Sequence, residues 1–235
     1  MVDAGGKSRR IVVVSPHLDD GILSVGASIA TWSRAGAAVE VLTVLGCDPD
    51  SGAPSGGWDR RGGFATEGES ARARRDEDRR ACGAVGATPV WLPFGSTDYE
   101  RHGDDDDVRR AVAGAIDGAS VVLLPGFPLS HPDHEWLMRT VAARVIHGCR
   151  VGLYVEQPYS RRGSDEPRVS AWVAEAIGEH SPFEVLPTGT RERIAKWRGI
   201  RHYRSQLPLL GMGGRLGQNP LSYAFAREWI AWARD

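Results

Sequence analysis

Cysteine is scarce in this chain of 235 residues, and no apolar run approaches the ~20 residues that span a membrane. The three cysteines, Cys47, Cys82 and Cys149, are odd in number and far apart. No disulfide framework or Cys-x-x-Cys metal site can be read from them, which is typical of a reducing compartment. The N-terminal segment has no signal-peptide pattern, so we expect a cytoplasmic protein.

An excess of charge of one sign is also missing. The formal net charge is −1 at pH 7, and apolar residues make up 41% of the chain. This balance is ordinary for a globular protein and gives no electrostatic reason to bind nucleic acid or a membrane surface. The length fits one domain over residues 1–235, and we expect neither nucleic acid nor a membrane as a partner.

Short apolar runs alternate with helical patterns along the chain. Strands are predicted near residues 11–15, 39–45, 89–93, 120–124, 150–155 and 183–186. Helices are predicted near residues 22–35, 68–85, 107–117, 135–147, 168–178, 190–207 and 221–233. Such alternation predicts an α/β fold with a mostly parallel sheet and helices on both of its faces.

Three stretches rich in glycine and polar residues are predicted to be loops: Gly46–Gly68, Gly95–Asp107 and Gly211–Asn219. The first exceeds an ordinary strand-to-helix connection, so we expect a functional loop or a lid there. The second contains four consecutive aspartates, Asp104–Asp107. An acidic run of this kind is either a cation site or a solvated helix start, and the helix dipole favours the second interpretation.

One imidazole and two carboxylates follow the first predicted strand. His17, Asp19 and Asp20 lie where that strand ends, and ligands of open α/β sheets bind at the carboxyl ends of strands. Two adjacent carboxylates in one crevice repel each other unless a cation or a proton compensates them. This indicates a metal site, although Asp20 could instead cap the helix that begins near Gly21.

A second cluster follows the fourth predicted strand. His131 and His134 are three residues apart at an apparent helix start. Ser130 and Asp133 resemble a capping box and Pro132 suits the first helical turn, so Asp133 is predicted to be a cap. Capping leaves the two histidines on one helix face unexplained.

The two clusters together predict a metal-dependent hydrolase. Two histidines and one carboxylate, with one position left for water, are the usual ligand set of a catalytic zinc ion. A carboxylate beside the ion would take a proton from the water, and Asp19 is the candidate because it adjoins a ligand. A parallel sheet could bring the two strand ends together.

Motifs of other enzyme classes are absent from the sequence. No Gly-x-Gly-x-x-Gly follows the first strand, no phosphate-binding loop motif occurs, and no Gly-x-Ser-x-Gly follows a strand. A nucleotide-binding oxidoreductase and a serine hydrolase are therefore disfavoured. A non-catalytic binding protein on the same scaffold is an alternative, but such a protein would be expected to have lost Asp19 or a ligand.

The motifs Pro16-His17-Leu18-Asp19-Asp20 and His131-Pro132-Asp133-His134 resemble those of the PIG-L/LmbE-like zinc-dependent N-deacetylases. Weaker similarities are Arg74-Arg75-Asp76-Glu77 and Lys196 followed by Tyr203-Arg204-Ser205-Gln206. The resemblance covers most of the chain and implies a Rossmann-like α/β fold. Gly21 departs from the pattern, because many members have glutamate after the aspartate pair.

The resemblance implies roles for five residues of the two main motifs. His17, Asp20 and His134 would bind Zn²⁺, and Asp19 would be the general base. His131 would act as a general acid or stabilise the oxyanion. The implied reaction is removal of an N-acetyl group from an amino sugar or a small sugar-containing metabolite. Hydrolysis of another amide and a purely binding role are the alternatives.

The resemblance also implies substrate contacts. Arg74 and Asp98 would contact the N-acetylated sugar, although Arg74 could equally be a surface arginine of the charged segment 72–80. Four aromatic residues could stack on a sugar ring or simply pack: Trp58, Trp91, Tyr99 and Tyr159. Packing is the expectation for Trp91.

Overall fold

The computed structural model describes residues 9–142, 148–160, 166–211 and 220–234. Its strands are β1 (Arg10–Ser15), β2 (Ala38–Thr43), β3 (Thr88–Trp91), β4 (Val121–Phe127), β5 (Arg150–Val155), β6 (Glu184–Val185) and β7 (Trp229–Trp232). Its helices are α1 (Asp20–Arg34), α2 (Gly57–Arg61), α3 (Glu67–Val85), α4 (Asp105–Ile116), α5 (Pro132–Val141), α6 (Ala171–Ile177), α7 (Thr190–Ile200) and α8 (Pro220–Ala224). No helix in the four described ranges is long and apolar enough to cross a bilayer.

The strands form one seven-stranded sheet in the order β3-β2-β1-β4-β5-β7-β6. The pairs from β3 to β5 are parallel, and β7 is antiparallel to both β5 and β6. The chain builds β2 and β3 on one side of β1 and then returns to build β4 and β5 on the other side. The carboxyl ends of β1 and β4 therefore flank the switch point of the sheet, where ligands bind in open α/β folds.

Apolar side chains cover both faces of the sheet. Val13 in β1 contributes to one buried cluster, together with residues of α1, α3 and α7. Its neighbours Val12 and Val14 contribute to the other cluster, together with residues of α4, α5 and α6. Because successive strand residues point to opposite faces, the continuous apolar run of β1 fits a strand that is covered on both sides. The predicted α/β architecture is confirmed.

All six predicted strands are present, but the predicted helix at 221–233 is wrong. Only its beginning is helical, as α8, and Trp229–Trp232 forms β7. β7 pairs with the edge of β5 and buries Ile230 and Ala231 in the cores on opposite faces. The apolar residues of this segment have helical spacing, but pairing with the open edge of β5 stabilises the strand conformation more than a helix would be stabilised here.

Other predicted boundaries shift. The helix predicted at 190–207 ends at Ile200, and the one predicted at 135–147 runs from Pro132 to Val141, with residues 143–147 outside the described part. The predicted loop Gly46–Gly68 contains the short helix α2. Residues 212–219 of the predicted loop Gly211–Asn219 also lie outside the described residues.

The acidic run Asp104–Asp107 is a helix start, as the dipole argument favours. The carboxylate of Asp104 accepts a hydrogen bond from the N–H of Asp107 over 2.8 Å, and Asp107 accepts one from the N–H of Asp104 over 3.1 Å. This reciprocal pair is a capping box for α4.

A buried ion pair stabilises a kink in α1. Val25 has non-helical φ and ψ values of −130° and 22°, which interrupts the helical hydrogen bonding. The Glu228 carboxylate accepts hydrogen bonds from the freed N–H groups of Ala27 and Ser28 over 2.9 and 2.7 Å. Lys196 Nζ lies 2.7 Å from the same carboxylate, and both charged side chains are buried. The C-terminal segment is thereby fixed to α1 and α7.

We expect Glu228→Gln to lower the free energy of unfolding by about 3–5 kcal/mol, because it leaves the buried Lys196 ammonium without a counter-charge. The matched control is Glu135→Gln, which breaks an exposed pair with Arg139 and should cost less than about 1 kcal/mol. Urea denaturation measures both. Equal small losses in the two variants would contradict the stabilising role of the buried pair.

Candidate metal centre and active site

Three donor atoms from the two predicted clusters converge at the switch point of the sheet. Asp20 Oδ2 lies 3.2 Å from His17 Nδ1 and 3.1 Å from His134 Nε2. The two ring nitrogens are 3.2 Å apart. The turn after β1 supplies His17 and Asp20, and the first turn of α5 supplies His134. The expectation that the two strand ends meet is therefore correct.

Local hydrogen bonds shape the turn that carries the first cluster. The Ser15 hydroxyl donates to the His17 carbonyl oxygen and accepts from the N–H of Gly21. A β carbon at Gly21 would lie 3.2 Å from Val41 Cγ1 and 3.3 Å from Ser15 Oγ. A larger side chain at this position would crowd the packing of α1 against β2, which gives a physical reason for the glycine.

Each of the two imidazoles has one ring nitrogen near Asp20, the inner nitrogen, and one that points away from it, the outer nitrogen. A carboxylate contacts each outer nitrogen. His17 Nε2 lies 3.0 Å from Asp133 Oδ2. His134 Nδ1 is in short contact with Glu156 Oε1, and Glu156 also accepts a hydrogen bond from the N–H of Leu129 over 2.8 Å. A carboxylate on the outer nitrogen fixes the N–H there, so that the inner nitrogen carries the lone pair when the ring is neutral. The three inner donor atoms are thus all oriented as ligands.

The size and charge of this donor set fit a small divalent cation. A tetrahedral zinc ion with ligand distances of 2.0–2.1 Å separates its ligand atoms by about 3.4 Å, close to the observed 3.1–3.2 Å. Burial alone would lower the pKa of His134, but Asp20 and Glu156 outweigh it and raise this pKa to about 10. The pKa of Asp20 is held well below its usual range by His134, despite burial. The cluster therefore favours positive charge at its centre.

The two capping interpretations of the sequence are wrong. Asp20 is the first residue of α1, and its carboxylate accepts from the N–H of His17 over 2.9 Å and faces the histidines instead of capping. Asp133 is fully buried and contacts His17, Thr97 and Arg101. The tertiary contacts of a buried carboxylate outweigh its local capping tendency in both cases.

His131 occupies the N-cap position of α5 and borders the metal cluster. Its Nδ1 accepts the N–H of Asp133 over 3.2 Å, so its Nε2 carries the ring proton in the neutral form. One ring nitrogen from each of His17, His131 and His134 lies within 4.8 Å of the other two. Burial, followed by the charge of His17 and His134, lowers the pKa of His131 to about 4. The side chain is therefore a neutral hydrogen-bond donor at neutral pH.

Asp19 lies beside the cluster, and its side chain lines the cavity. It is the N-cap residue of α1, but its side chain makes no capping hydrogen bond. Burial, followed by the charge of Asp20, raises the pKa of Asp19 to about 6. A carboxyl group with a pKa in this range suits proton transfer near neutral pH.

Arg74 also lines the cavity and is not a surface arginine. One of its guanidinium nitrogens, Nη1, lies 3.3 Å from Asp59 Oδ1. The other oxygen of Asp59 accepts a hydrogen bond from the Tyr99 hydroxyl over 2.7 Å. Arg74 Nε is buried with no partner in the described part of the chain. Asp59 belongs to α2, so the long loop Gly46–Gly68 helps to hold this guanidinium.

A cavity of about 490 Å³ opens onto the cluster. Asp98 lines it and accepts the backbone N–H of Trp58 over 2.8 Å. The Trp58 indole lines the cavity as well, with its Nε1 donating to Gln206 Oε1 over 2.7 Å. Trp91 is half-buried and bonds through its indole N–H to Asp78, as expected for a packing residue. The cavity thus combines aromatic and polar walls.

Sequence reasoning missed Glu156 and Asp59. Glu156 directly follows β5, the parallel strand next to β4, so its position after an apolar run was an available signal. Asp59 lies in α2, within the predicted loop Gly46–Gly68, and nothing in the neighbouring sequence indicates that it contacts Arg74 of α3. Arg74 and Asp98, identified only by resemblance, both line the cavity.

We expect Glu156→Gln to weaken metal binding by about 10- to 100-fold, because the amide cannot hold the N–H of His134 as a carboxylate does. The matched control is Glu135→Gln, an exposed residue of α5 that pairs with Arg139. Titration with Zn²⁺ followed by calorimetry measures the affinity of both. Unchanged affinity in Glu156→Gln would contradict a role for Glu156 in orienting His134.

Among solved structures, the chain is similar to the A40926 pseudoaglycone deacetylase Dbv21, with a TM-score of 0.77 and 25% identity over 97% of both chains. It is also similar to the zinc-inhibited form of the teicoplanin deacetylase Orf2, with a TM-score of 0.77 and 22% identity over 96% of this chain and 98% of that one. The N,N'-diacetylchitobiose deacetylase of Pyrococcus horikoshii is more distant, with a TM-score of 0.56 and 18% identity over 85% and 71% of the two chains.

Sequence comparison identifies the family. The search of curated proteins found no match. The model of the PIG-L family, described as GlcNAc-PI de-N-acetylase, matches residues 12–145, which is more than half of the chain. These residues include both histidine-containing motifs and Arg74. The chain therefore belongs to the PIG-L family of de-N-acetylases, as the resemblance of its motifs implied.

Proposed function

We propose that this protein is a zinc-dependent hydrolase that removes an N-acetyl group from an amino sugar or a small sugar-containing metabolite. The observation that carries the proposal is the convergence of His17, Asp20 and His134 beside the carboxyl group of Asp19 in an open cavity. Membership of the PIG-L family and the deacetylases among the structural neighbours support the acetylated sugar as the substrate.

His17, Asp20 and His134 would hold the metal ion. When bound, zinc supplies Lewis acidity, which makes water acidic and polarises a carbonyl group. Asp133 and Glu156 keep the two imidazoles oriented through their outer nitrogens. These residues therefore determine where the acetamide carbonyl must lie for reaction.

Asp19 would move the proton. Its carboxylate takes a proton from the attacking water, whose oxygen forms a bond to the acetyl carbon. The same carboxyl group then donates that proton to the amide nitrogen as the carbon–nitrogen bond breaks. Acetate and a free amine are the products, and the raised pKa of Asp19 suits both directions of transfer.

His131 would stabilise the oxyanion. Its neutral imidazole carries a proton on Nε2, because Nδ1 accepts the N–H of Asp133. This donor lies at the cavity wall beside the metal cluster. A preorganised donor at the developing negative charge lowers the barrier more than a donor that must reorient.

Arg74 and Asp98 would bind the polar groups of the sugar. The cavity volume of about 490 Å³ is in the range of small-molecule sites, about 300–1,000 Å³. The guanidinium of Arg74 and the carboxylate of Asp98 are a donor and an acceptor suited to hydroxyl groups. The aromatic face of Trp58 suits the apolar face of a pyranose.

Such a substrate and the free cysteines support a cytoplasmic location.

Acetate release from a panel of soluble N-acetylamino sugars and their glycosides tests the proposal, with zinc-loaded protein. We expect stoichiometric acetate and free amine from at least one member. Turnover of other amides alone would indicate a metal-dependent amidase of different specificity. Binding of panel members without any turnover would indicate a binding protein on the same scaffold, and either result would overturn the proposed reaction.

A further inference from the structure

Tyr159 borders the metal cluster from a direction that neither histidine motif supplies. It lies four residues beyond β5, in the segment that also provides Glu156. Its ring centroid is 5.0 Å from that of His134 and 6.0 Å from that of His131, at interplanar angles of 79° and 67°. The tyrosine ring is thus packed edge-on against two of the histidines at the cluster.

The hydroxyl of Tyr159 differs from those of Tyr99, Tyr154 and Tyr203. The hydroxyls of Tyr99, Tyr154 and Tyr203 donate to Asp59, to the Val14 carbonyl and to Asp78 over 2.7, 2.9 and 2.7 Å. Tyr159 lines the cavity, and no hydrogen bond within the described ranges engages its hydroxyl. The hydroxyl is therefore available to a ligand in the cavity.

A hydrogen-bond donor is what this side of the site needs. Asp20 belongs to the cluster, and Asp19 and Asp133 are buried beside it. When ionised, these three carboxylates can accept hydrogen bonds but cannot donate them. A tetrahedral intermediate places negative charge on the former carbonyl oxygen, and fixed neutral donors stabilise it. The Tyr159 hydroxyl is such a donor, on a ring that the two imidazoles hold in place.

We propose that Tyr159 is a further catalytic residue, whose hydroxyl donates a hydrogen bond to the oxyanion of the intermediate alongside His131. The inference rests on the proposed deacetylation. No covalent bond forms to the tyrosine and it keeps its proton, so the balance of the hydrolysis is unchanged.

The variant Tyr159→Phe separates this role from packing, because it keeps the ring against the histidines and removes only the hydroxyl. We expect kcat to fall by ~10²-fold, with KM within about two-fold of the wild-type value. Zinc content should be unchanged. Affinity for the methylphosphonamide of the same amine, a tetrahedral mimic, should fall by a factor similar to that in kcat.

Tyr203→Phe is the matched control, since it removes the same atom from a buried tyrosine that contacts Asp78 away from the cavity. It should leave kcat and mimic affinity unchanged. A wild-type kcat in Tyr159→Phe would overturn the inference and leave the deacetylase function intact. A fall in kcat that accompanies loss of zinc would assign Tyr159 a purely structural role. Absence of acetate release by the wild-type protein would overturn the proposed function, and with it the role of Tyr159.

Discussion

Replacing Asp19 by asparagine is expected to reduce kcat by roughly 10²–10⁴-fold, the range of a lost general base, while zinc stays bound. The amide has the shape of the carboxyl group but cannot take a proton from water. The donor atoms that converge at the candidate metal site belong to His17, Asp20 and His134, so Asp19→Asn leaves them in place. Steady-state acetate release and metal analysis of the same protein sample measure both quantities.

Asp76→Asn is the matched control, because Asp76 is an exposed residue of α3 that pairs with Arg79 and Arg80. Its activity should equal that of the wild type. If Asp19→Asn stays folded but loses its metal, Asp19 is a ligand and the roles of the two adjacent aspartates must be exchanged. Full activity in this variant would remove Asp19 from the chemistry.

Replacing His134 by alanine is expected to abolish both metal binding and activity. His134 is fully buried and supplies one of the three inner donors. Its removal also leaves the carboxylates of Asp20 and Glu156 facing each other across an empty volume, which disfavours the site further. Metal analysis after dialysis against Zn²⁺ should show less than about one tenth of the wild-type content, since a two-ligand site binds far more weakly.

Loss of folding would give the same result for a trivial reason, so a second variant is needed. Asp20→Asn removes one ligand charge but keeps the side-chain shape, and it should also lose most of the metal while retaining the wild-type circular dichroism spectrum. His180→Ala, which changes a histidine in the connection between α6 and β6, should keep full metal content. Full zinc content in His134→Ala would contradict the ligand assignment.

Much of the fold could be predicted because its strands carry their own signal. Runs such as Ile11–Val14 are apolar on both faces, which is typical of a strand in a parallel sheet that is covered on both sides. β7 could not be predicted in this way. Its Trp229–Trp232 segment shows helical spacing, and its strand conformation depends on the open edge of β5, which is far away in sequence.

The candidate metal site could be predicted in outline because its candidate ligands follow strand ends. His17, His131 and His134 were recognisable as candidate ligands from residue type and position, and the family resemblance selected His17, Asp20 and His134 as the ligand set. The carboxylates that hold their outer nitrogens were not, because a buried aspartate such as Asp133 has the same sequence context as a helix cap. Its true partner, His17, is 116 residues away. Long-range pairing of this kind has no local signature.

The polar wall of the cavity was the least predictable part. Arg74 lies in a segment so rich in charge that its burial has no sequence signal. The buried position depends on Asp59 and Tyr99, which come from two different loops. Only the family resemblance distinguished this arginine from its neighbours.

The most direct test of the metal-dependent deacetylation is a zinc titration of metal-free protein in the presence of an N-acetylamino sugar substrate. Acetate and free amine should appear together in equal amounts. Their rate of formation should rise in proportion to bound zinc and level off at one ion per chain. A rate that is independent of bound metal, or no acetate from any acetamide when one ion per chain is bound, would contradict the proposed reaction.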